Sequence, residues 1–259
     1  MTSNRKHFSA LLLLSLIAMT FSLPASSDFI TLDLTTAGSS GFINDAFFSQ
    51  VDPNPTGTGV IDSFVRLSGN AGTVEGYNTI VDNTFDNTSD ATHNHEVLLS
   101  DIPLVLLEDE EGDFILFREF LLDVNENRPE SLVSLDEIQV FQSSLANQSV
   151  ETLDGSGVVE LASSNLVYRM DPRNGIMLDY ALNNGSGSGD MFMYIPDSFF
   201  SFDQEFVYLY SQFGLTEAEE AGFEEWAVRE AAIIPEPSTM LLVGLGLVGL
   251  AARRRKRAS

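Results

Sequence analysis

The chain contains no cysteine, and its central part contains no lysine. Without cysteine it has no disulfides, no thiol nucleophile and no cysteine-ligated metal. Residues 28–234 carry six arginines and 37 acidic residues, a net charge of −31, so this part of the chain repels nucleic acid and anionic lipid. We therefore expect no nucleic-acid partner, and a fold that is held together by packing of its core.

Long apolar runs are also missing. The two longest, Phe8–Phe21 and Thr239–Ala252, both fall short of the roughly 20 residues that a lasting membrane span needs. The first run has a positively charged start and is followed by the small residues Ala25–Ser27, which is typical of a cleaved secretory signal peptide over residues 1–27. The short run argues against the alternative, an uncleaved signal anchor.

Residues 233–259 repeat these features in reverse order. Pro235, Glu236 and Pro237 precede the second apolar run, which as a helix is about 21 Å long against a hydrocarbon core of ~30 Å. The chain then ends in a basic cluster, which stays on the cytoplasmic side of a membrane by the positive-inside rule. This cluster includes Arg253, Arg254 and Arg255. The order predicts a C-terminal transmembrane helix that anchors the chain transiently, with an ordinary tail anchor as the alternative.

This tail resembles the PEP-CTERM sorting signal, which has a Pro-Glu-Pro triplet, one short apolar segment and an arginine-rich end. The resemblance implies cleavage near residues 235–237 by an exosortase, a membrane-embedded cysteine transpeptidase of bacteria that make exopolysaccharide. Signal peptidase is then the processing enzyme at the other end. The resemblance further implies export through the inner membrane and a final place at the cell surface or outside the cell, in association with exopolysaccharide or a biofilm matrix. Phrases such as GTGVIDSFVRLSGN, at residues 57–70, are similar to those of other PEP-CTERM proteins.

Between the two signals, residues 28–232 are predicted to form an acidic, β-rich ectodomain. Stretches rich in Gly, Pro, Asn and Asp separate short apolar or alternating runs, which predict strands at 29–34, 60–67, 97–107, 114–122, 132–141, 166–170, 176–182, 191–195 and 206–213. Residues 114–122 are apolar on both faces and are predicted to be a central strand, whereas residues 60–67 suit a sheet edge. The pattern predicts an all-β fold, a β-sandwich or jelly-roll.

One segment favours a helix instead. Thr216 and Glu219 have the spacing of a capping box, and Phe223 and Trp226 follow at helical spacing. We predict a short helix near residues 216–231, in which Gly222 costs about 1 kcal/mol relative to alanine.

Metal binding is predicted from oxygen-bearing side chains. Three of them alternate as at the start of an EF-hand, at Asp123, Asn125 and Asn127. Arg128 stands where that loop needs glycine, so this is not an EF-hand; solvated turns are one interpretation of these residues, and a Ca²⁺ site built from this loop and another acidic loop is the other. His93 and His95 lie two apart beside a glutamate, but no third histidine outside the signal peptide exists to complete a typical zinc site.

No catalytic residue is predicted. The letters of a nucleophile elbow at residues 185–189, GSGSG, lie in a turn-rich stretch, and abundant acidic residues make accidental carboxylate pairs certain. We expect a non-enzymatic structural protein, with a carbohydrate-binding module as the first alternative and a secreted hydrolase as the second. In the first alternative, sugar rings stack on aromatic side chains that are exposed on one face of the sandwich. These side chains are Tyr194, Tyr208, Tyr210 and Trp226.

Overall fold

A computed structural model describes residues 30–51, 61–69, 72–79, 85–88, 90–126, 131–150, 152–170, 173–183, 189–218 and 222–229. The predicted signal peptide and the C-terminal tail lie outside these residues. Within the described part, no helix has the length and apolar character to cross a membrane.

The described residues form fourteen strands and two short 3-10 turns. The strands are β1 (Ile30–Asp33), β2 (Ser40–Ile43), β3 (Ala46–Gln50), β4 (Ile61–Leu67), β5 (Val74–Tyr77), β6 (Val97–Leu98), β7 (Leu104–Glu108), β8 (Phe114–Val124), β9 (Leu132–Ser143), β10 (Ser164–Met170), β11 (Gly175–Asp179), β12 (Met191–Pro196), β13 (Phe206–Phe213) and β14 (Glu224–Arg229). The turns are Leu99–Asp101 and Asp197–Phe199.

The strands build two sheets of seven strands each. In the first sheet the order is β1-β11-β9-β13-β5, with β10 beside β9 and β6 beside β13. In the second sheet the order is β2-β3-β12-β8-β14-β4, with β7 beside β8. All described strand pairs are antiparallel except β1 with β11. The all-β sandwich prediction is confirmed, as are a central place for residues 114–122 and an edge place for β4.

Alternating side chains of both sheets form the main core. From β8 of the second sheet, Phe120, Leu122 and Val124 point inward, and they meet residues of β9 and β13 such as Leu135 and Leu209. The two sheets are also joined by a hydrogen bond, in which Trp226 Nε1 donates to Ser211 Oγ at 3.0 Å.

A smaller apolar cluster lies on the other side of the first sheet. Its buried members are Tyr77, Phe141, Val159, Leu161, Tyr208 and Tyr210, and Val150 and Val158 pack against them. Because this outer face is covered, most residues of β9 and β13 are buried on both faces.

The helix predicted near residues 216–231 is wrong for the described part of that segment. Glu224–Arg229 is strand β14, which pairs with both β8 and β4. Trp226 and Val228 enter the main core on alternate positions, so the tertiary burial of a period-2 pattern overrides the helical spacing. Gly222 also stands at φ +132°, outside helical geometry.

Two smaller differences have local causes. The strand predicted over 97–107 is divided into β6 and β7 by a 3-10 turn and Pro103, whose missing N–H interrupts a sheet ladder. The hairpin of β2 and β3 was not predicted at all. Its two-residue turn is Asn44–Asp45, both at positive φ, as hairpin turns of this length require.

Candidate functional site

The predicted calcium ligands lie where β8 ends. Asp123 is the second-last residue of β8 and is fully buried. Asn125 directly follows the strand. Asn127 lies outside the described residues. On β8 Asp123 alternates with core residues, so it faces outward, yet it is covered. The cover is the segment that leads into β12.

Gly189 presses this segment against the outer face of β8. It has φ +69°, and a Cβ placed on it would stand 2.6 Å from Leu121 Cδ1. Its N–H donates to Asp123 Oδ1 at 3.2 Å, and its carbonyl oxygen accepts from Asn183 Nδ2 at 2.8 Å. Gly189 therefore connects Asp123 and Asn183 through the two peptide groups on either side of its Cα, and its positive φ together with the contact to Leu121 favours glycine here.

Asp190, the next residue, completes this group of side chains. Its Oδ2 accepts from the backbone N–H of Val124 at 2.8 Å, so the carboxylate caps the end of the β8 ladder. Asp190 is 3% exposed, and burial raises the pKa of its carboxyl group well above the ordinary range. The negative charges of Asp123 and Asp179 raise this pKa further. We call Asp123, Asn183 and Asp190 the acidic end cluster.

The sequence singled out Asp123 but not its two neighbours. Asn183 and Asp190 bound a stretch rich in Asn, Gly and Ser, which in sequence is typical of a solvated turn. A carboxylate directly before an apolar strand was the only available signal.

The histidines take part in a surface turn. His93 Nδ1 lies 2.6 Å from Asp90 Oδ2, while the backbone N–H of His95 donates to the carbonyl oxygen of Phe64. A hydrogen bond from the Thr92 backbone and then the contact with His93 lower the pKa of Asp90 to about 2. Among the described residues, no three His, Asp or Glu side chains are grouped as a metal site.

The four candidate aromatic residues lie in three different places. Trp226 is in the main core, Tyr208 and Tyr210 are in the smaller cluster, and Tyr194 stacks on Phe47 across the outer face of the second sheet. Their exposed fractions are 0% for Trp226 and Tyr208, 1% for Tyr210 and 8% for Tyr194. The condition for sugar stacking, exposure on one face, is therefore not met by these residues.

Four described arginines form ion pairs, and one of these pairs lies beside the acidic end cluster, because Glu225 on β14 is the strand partner of Asp123. The pairs are Arg66–Glu225, Arg118–Asp197, Arg169–Glu137 and Arg229–Glu119, at 2.5 to 2.7 Å. The carboxylates of three of them are nearly or fully buried, so removal of their arginine partners would leave a buried charge without compensation.

The hairpin of β7 and β8 presents an exposed apolar face. Leu104, Leu106, Phe114 and Leu116 are between 46% and 68% exposed. Phe114 and Leu116 lie on the same face of β8 as Phe120, which packs into the core. Leu104 and Leu106 lie beside this face on β7. The apolar face of the hairpin therefore extends past the opposite sheet.

Comparison with known families identifies one segment of the chain. Residues 234–256 match the family model of the PEP-CTERM protein-sorting motif. The chain matches no curated protein and no solved structure. The predicted resemblance of the tail is thereby confirmed: the chain carries the sorting motif of an exosortase substrate, which is exported and held by a C-terminal membrane anchor before processing. The sorting residues Pro235, Glu236 and Pro237 and Arg253, Arg254 and Arg255 fall within the match and lie outside the described residues.

Proposed function

We propose that this exosortase substrate is a non-enzymatic structural protein of the bacterial surface or extracellular matrix, where it associates with exopolysaccharide. The supporting observation is the position of the sorting motif. The last strand of the sandwich ends at Arg229, and the motif begins at Ile234. Cleavage near Pro235–Pro237 thus delivers the whole sandwich, and the role of the processed protein is the role of this one folded unit.

The charge of the sandwich limits how it can associate with a matrix. At −31 over residues 28–234, it repels acidic polysaccharide and attracts cations. Contact with a neutral polymer, or with an acidic polymer through shared divalent cations, is compatible with this charge.

Processing is tested by replacing Pro235, Glu236 and Pro237 together with alanine. The native protein should have an intact mass that lacks both terminal signals, while the variant should keep its C-terminal tail and stay in the membrane fraction. Pro53-Asn54-Pro55 offers a matched control, because its replacement removes a second Pro-x-Pro triplet without touching the motif. Equal masses and equal fractions for all three proteins would contradict the proposed processing site.

Matrix association is tested in a strain that makes no exopolysaccharide. We expect the processed protein to move from the cell-associated fraction to the medium, with its mass unchanged. An unchanged distribution would show that the protein does not depend on the polymer.

The carbohydrate-binding alternative requires residues other than the four buried aromatics. Loss of glycan binding on Trp226→Ala would report the loss of a core side chain, so a glycan array on the native protein is the informative measurement. Specific binding there, or turnover of a glycan for the hydrolase alternative, would replace the structural role.

A further inference from the structure

The acidic end cluster contains two buried oxygen atoms without hydrogen-bond partners. Asp190 Oδ1 is one and Asn183 Oδ1 is the other, and their residues are 3% and 6% exposed. The other polar atoms of these side chains are used: Asp190 Oδ2 accepts from Val124, and Asn183 Nδ2 donates to the carbonyl oxygens of Val51 and Gly189. Buried oxygen atoms without partners cost free energy, so the pair calls for a bound donor or cation.

Hydrogen bonds and chain adjacency connect the three residues through Gly189. Asp123 accepts from the N–H of Gly189, Asn183 donates to its carbonyl oxygen, and Asp190 is its chain neighbour. The three side chains thus contact or adjoin one residue. They come from two segments that are far apart in sequence, the end of β8 and the segment before β12.

Two nearby carboxylates oppose the ionised form of Asp190. Both Asp123 and Asp179 raise its pKa. The nearest described ion pair is Arg66–Glu225, in which Glu225 is the strand partner of Asp123. A small cation at Asp190 Oδ1 would offset the repulsion from Asp123 and Asp179.

We propose that Asp123, Asn183 and Asp190 bind a Ca²⁺ ion at this end of the sandwich. Two carboxylates and an amide oxygen are hard ligands of the kind that Ca²⁺ takes, and it completes its shell with backbone carbonyls and water. The site shares Asp123 with the calcium prediction made from sequence and replaces the other two ligands. It needs no third carboxylate, so it is compatible with the lack of a three-residue metal group among the described residues.

Bound Ca²⁺ would tie the segment before β12 to β8. The expected dissociation constant is about 0.1 to 1 mM, the range of extracellular calcium modules. The protein would thus be reinforced wherever it meets Ca²⁺ at or above this concentration. This inference is independent of the proposed matrix role.

Calorimetric titration of the purified protein with CaCl₂, after EDTA treatment and in about 0.15 M NaCl to screen diffuse charge, tests the proposal. We expect one site per chain and a melting temperature that rises by about 3 to 10 °C at roughly 10 mM Ca²⁺. Asp190→Asn should raise the Kd on the order of tenfold or more, because it removes one of two ligand charges. Asp113→Asn is the matched control: it removes an exposed carboxylate from the β7–β8 turn and should bind as the native protein does.

Two results would overturn the proposal. One is a native protein with no saturable site and no change in melting temperature at this Ca²⁺ concentration. The other is an equal loss of affinity in Asp190→Asn and Asp113→Asn, which would show diffuse binding to the acidic surface. If Asp190→Asn does not fold, Asn183→Ala serves in its place, since it removes a neutral ligand. An Asp190→Asn protein that is more stable than the native one, with no response to Ca²⁺ in either, would identify Asp190 as a neutral, protonated acid.

Discussion

At the scale of single residues, Trp226 shows how burial decides between structural and binding roles. It is fully buried between the sheets, and its indole N–H is bonded to Ser211. Trp226→Ala should lower the free energy of unfolding by about 3 to 5 kcal/mol through the cavity it leaves, as measured by denaturant unfolding. Phe202→Ala, at a side chain that is 85% exposed, should change it by no more than about 0.5 kcal/mol. Equal stability of the two variants would show that Trp226 is not a core residue.

Asp90 gives a second test at this scale, through its contact with His93. Its pKa is lowered to about 2, first by the Thr92 backbone N–H and then by His93. A carboxyl whose pKa is lower in the folded state stabilises the fold above the unfolded value of about 3.9, and this contribution is lost as pH falls toward 2. In His93→Ala, the Asp90 carboxyl carbon followed by NMR should titrate at a higher pH, but still below 3.9, because the Thr92 bond remains. A midpoint equal to that of the native protein would show that His93 does not act on Asp90.

At the scale of secondary-structure elements, the start of β14 depends on Gly222. A Cβ on this residue would stand 2.0 Å from the Asn125 carbonyl oxygen, and its φ of +132° disfavours any side chain. Gly222→Ala should therefore displace the β13–β14 connection from the end of β8 and cost more than about 2 kcal/mol in chemical denaturation. Gly112→Ala is the matched control, because Gly112 also has positive φ but has no atom within 4 Å of the added Cβ. Gly112→Ala should cost about 1 kcal/mol, because only the positive φ, and no close contact, opposes the alanine side chain. Similar losses in both variants would rule out the close contact with Asn125.

The exposed face of the β7–β8 hairpin leads to a prediction about solubility. Leu106 and Phe114 contribute apolar surface to water, so their replacement by serine removes little from the core. The double variant should melt within about 2 °C of the native protein and bind less of a hydrophobic dye such as ANS. A large fall in melting temperature would instead mean that this face is covered in solution.

The same elements show what the sequence could and could not predict. The central place of β8 was predicted correctly because its sequence is apolar on both faces, which suits a covered strand; residues 117–124 are covered, whereas Phe114 and Leu116 are exposed. The short β2–β3 hairpin was missed because its signal is confined to the turn residues Asn44–Asp45. Trp226 was assigned to a helix because helical and strand periods overlap over a few residues, and only packing against β8 and β13 separates them.

The candidate site was predicted in part, for a related reason. Asp123 was found because alternating oxygen-bearing side chains are visible in sequence. Asn183 and Asp190 were not, because the residues before β12 are buried by their contact with β8, and the hydrogen bonds of this contact join residues 66 positions apart.

At the scale of the whole molecule, the excess of acidic residues opposes the compact state. Residues 28–234 carry −31 charges, while the described ion pairs are few and partly buried. Salt should therefore weaken the overall repulsion more than it weakens the pairs, since the Debye length falls from about 30 Å at 10 mM salt to about 8 Å at 150 mM. The melting temperature should rise with NaCl, by about 2 to 4 °C for each kcal/mol of repulsion removed.

Choline chloride separates this general effect from cation binding. It supplies the same ionic strength with a cation that is too large for an oxygen-lined site, so it should raise the melting temperature as much as NaCl does, while Ca²⁺ should act at far lower concentration. A melting temperature that falls with both salts would mean that the arginine pairs, and not the net charge, dominate the electrostatic free energy of folding. The acidic surface would then favour solubility without a cost in stability, and a response to Ca²⁺ at low concentration would still identify binding at the acidic end cluster.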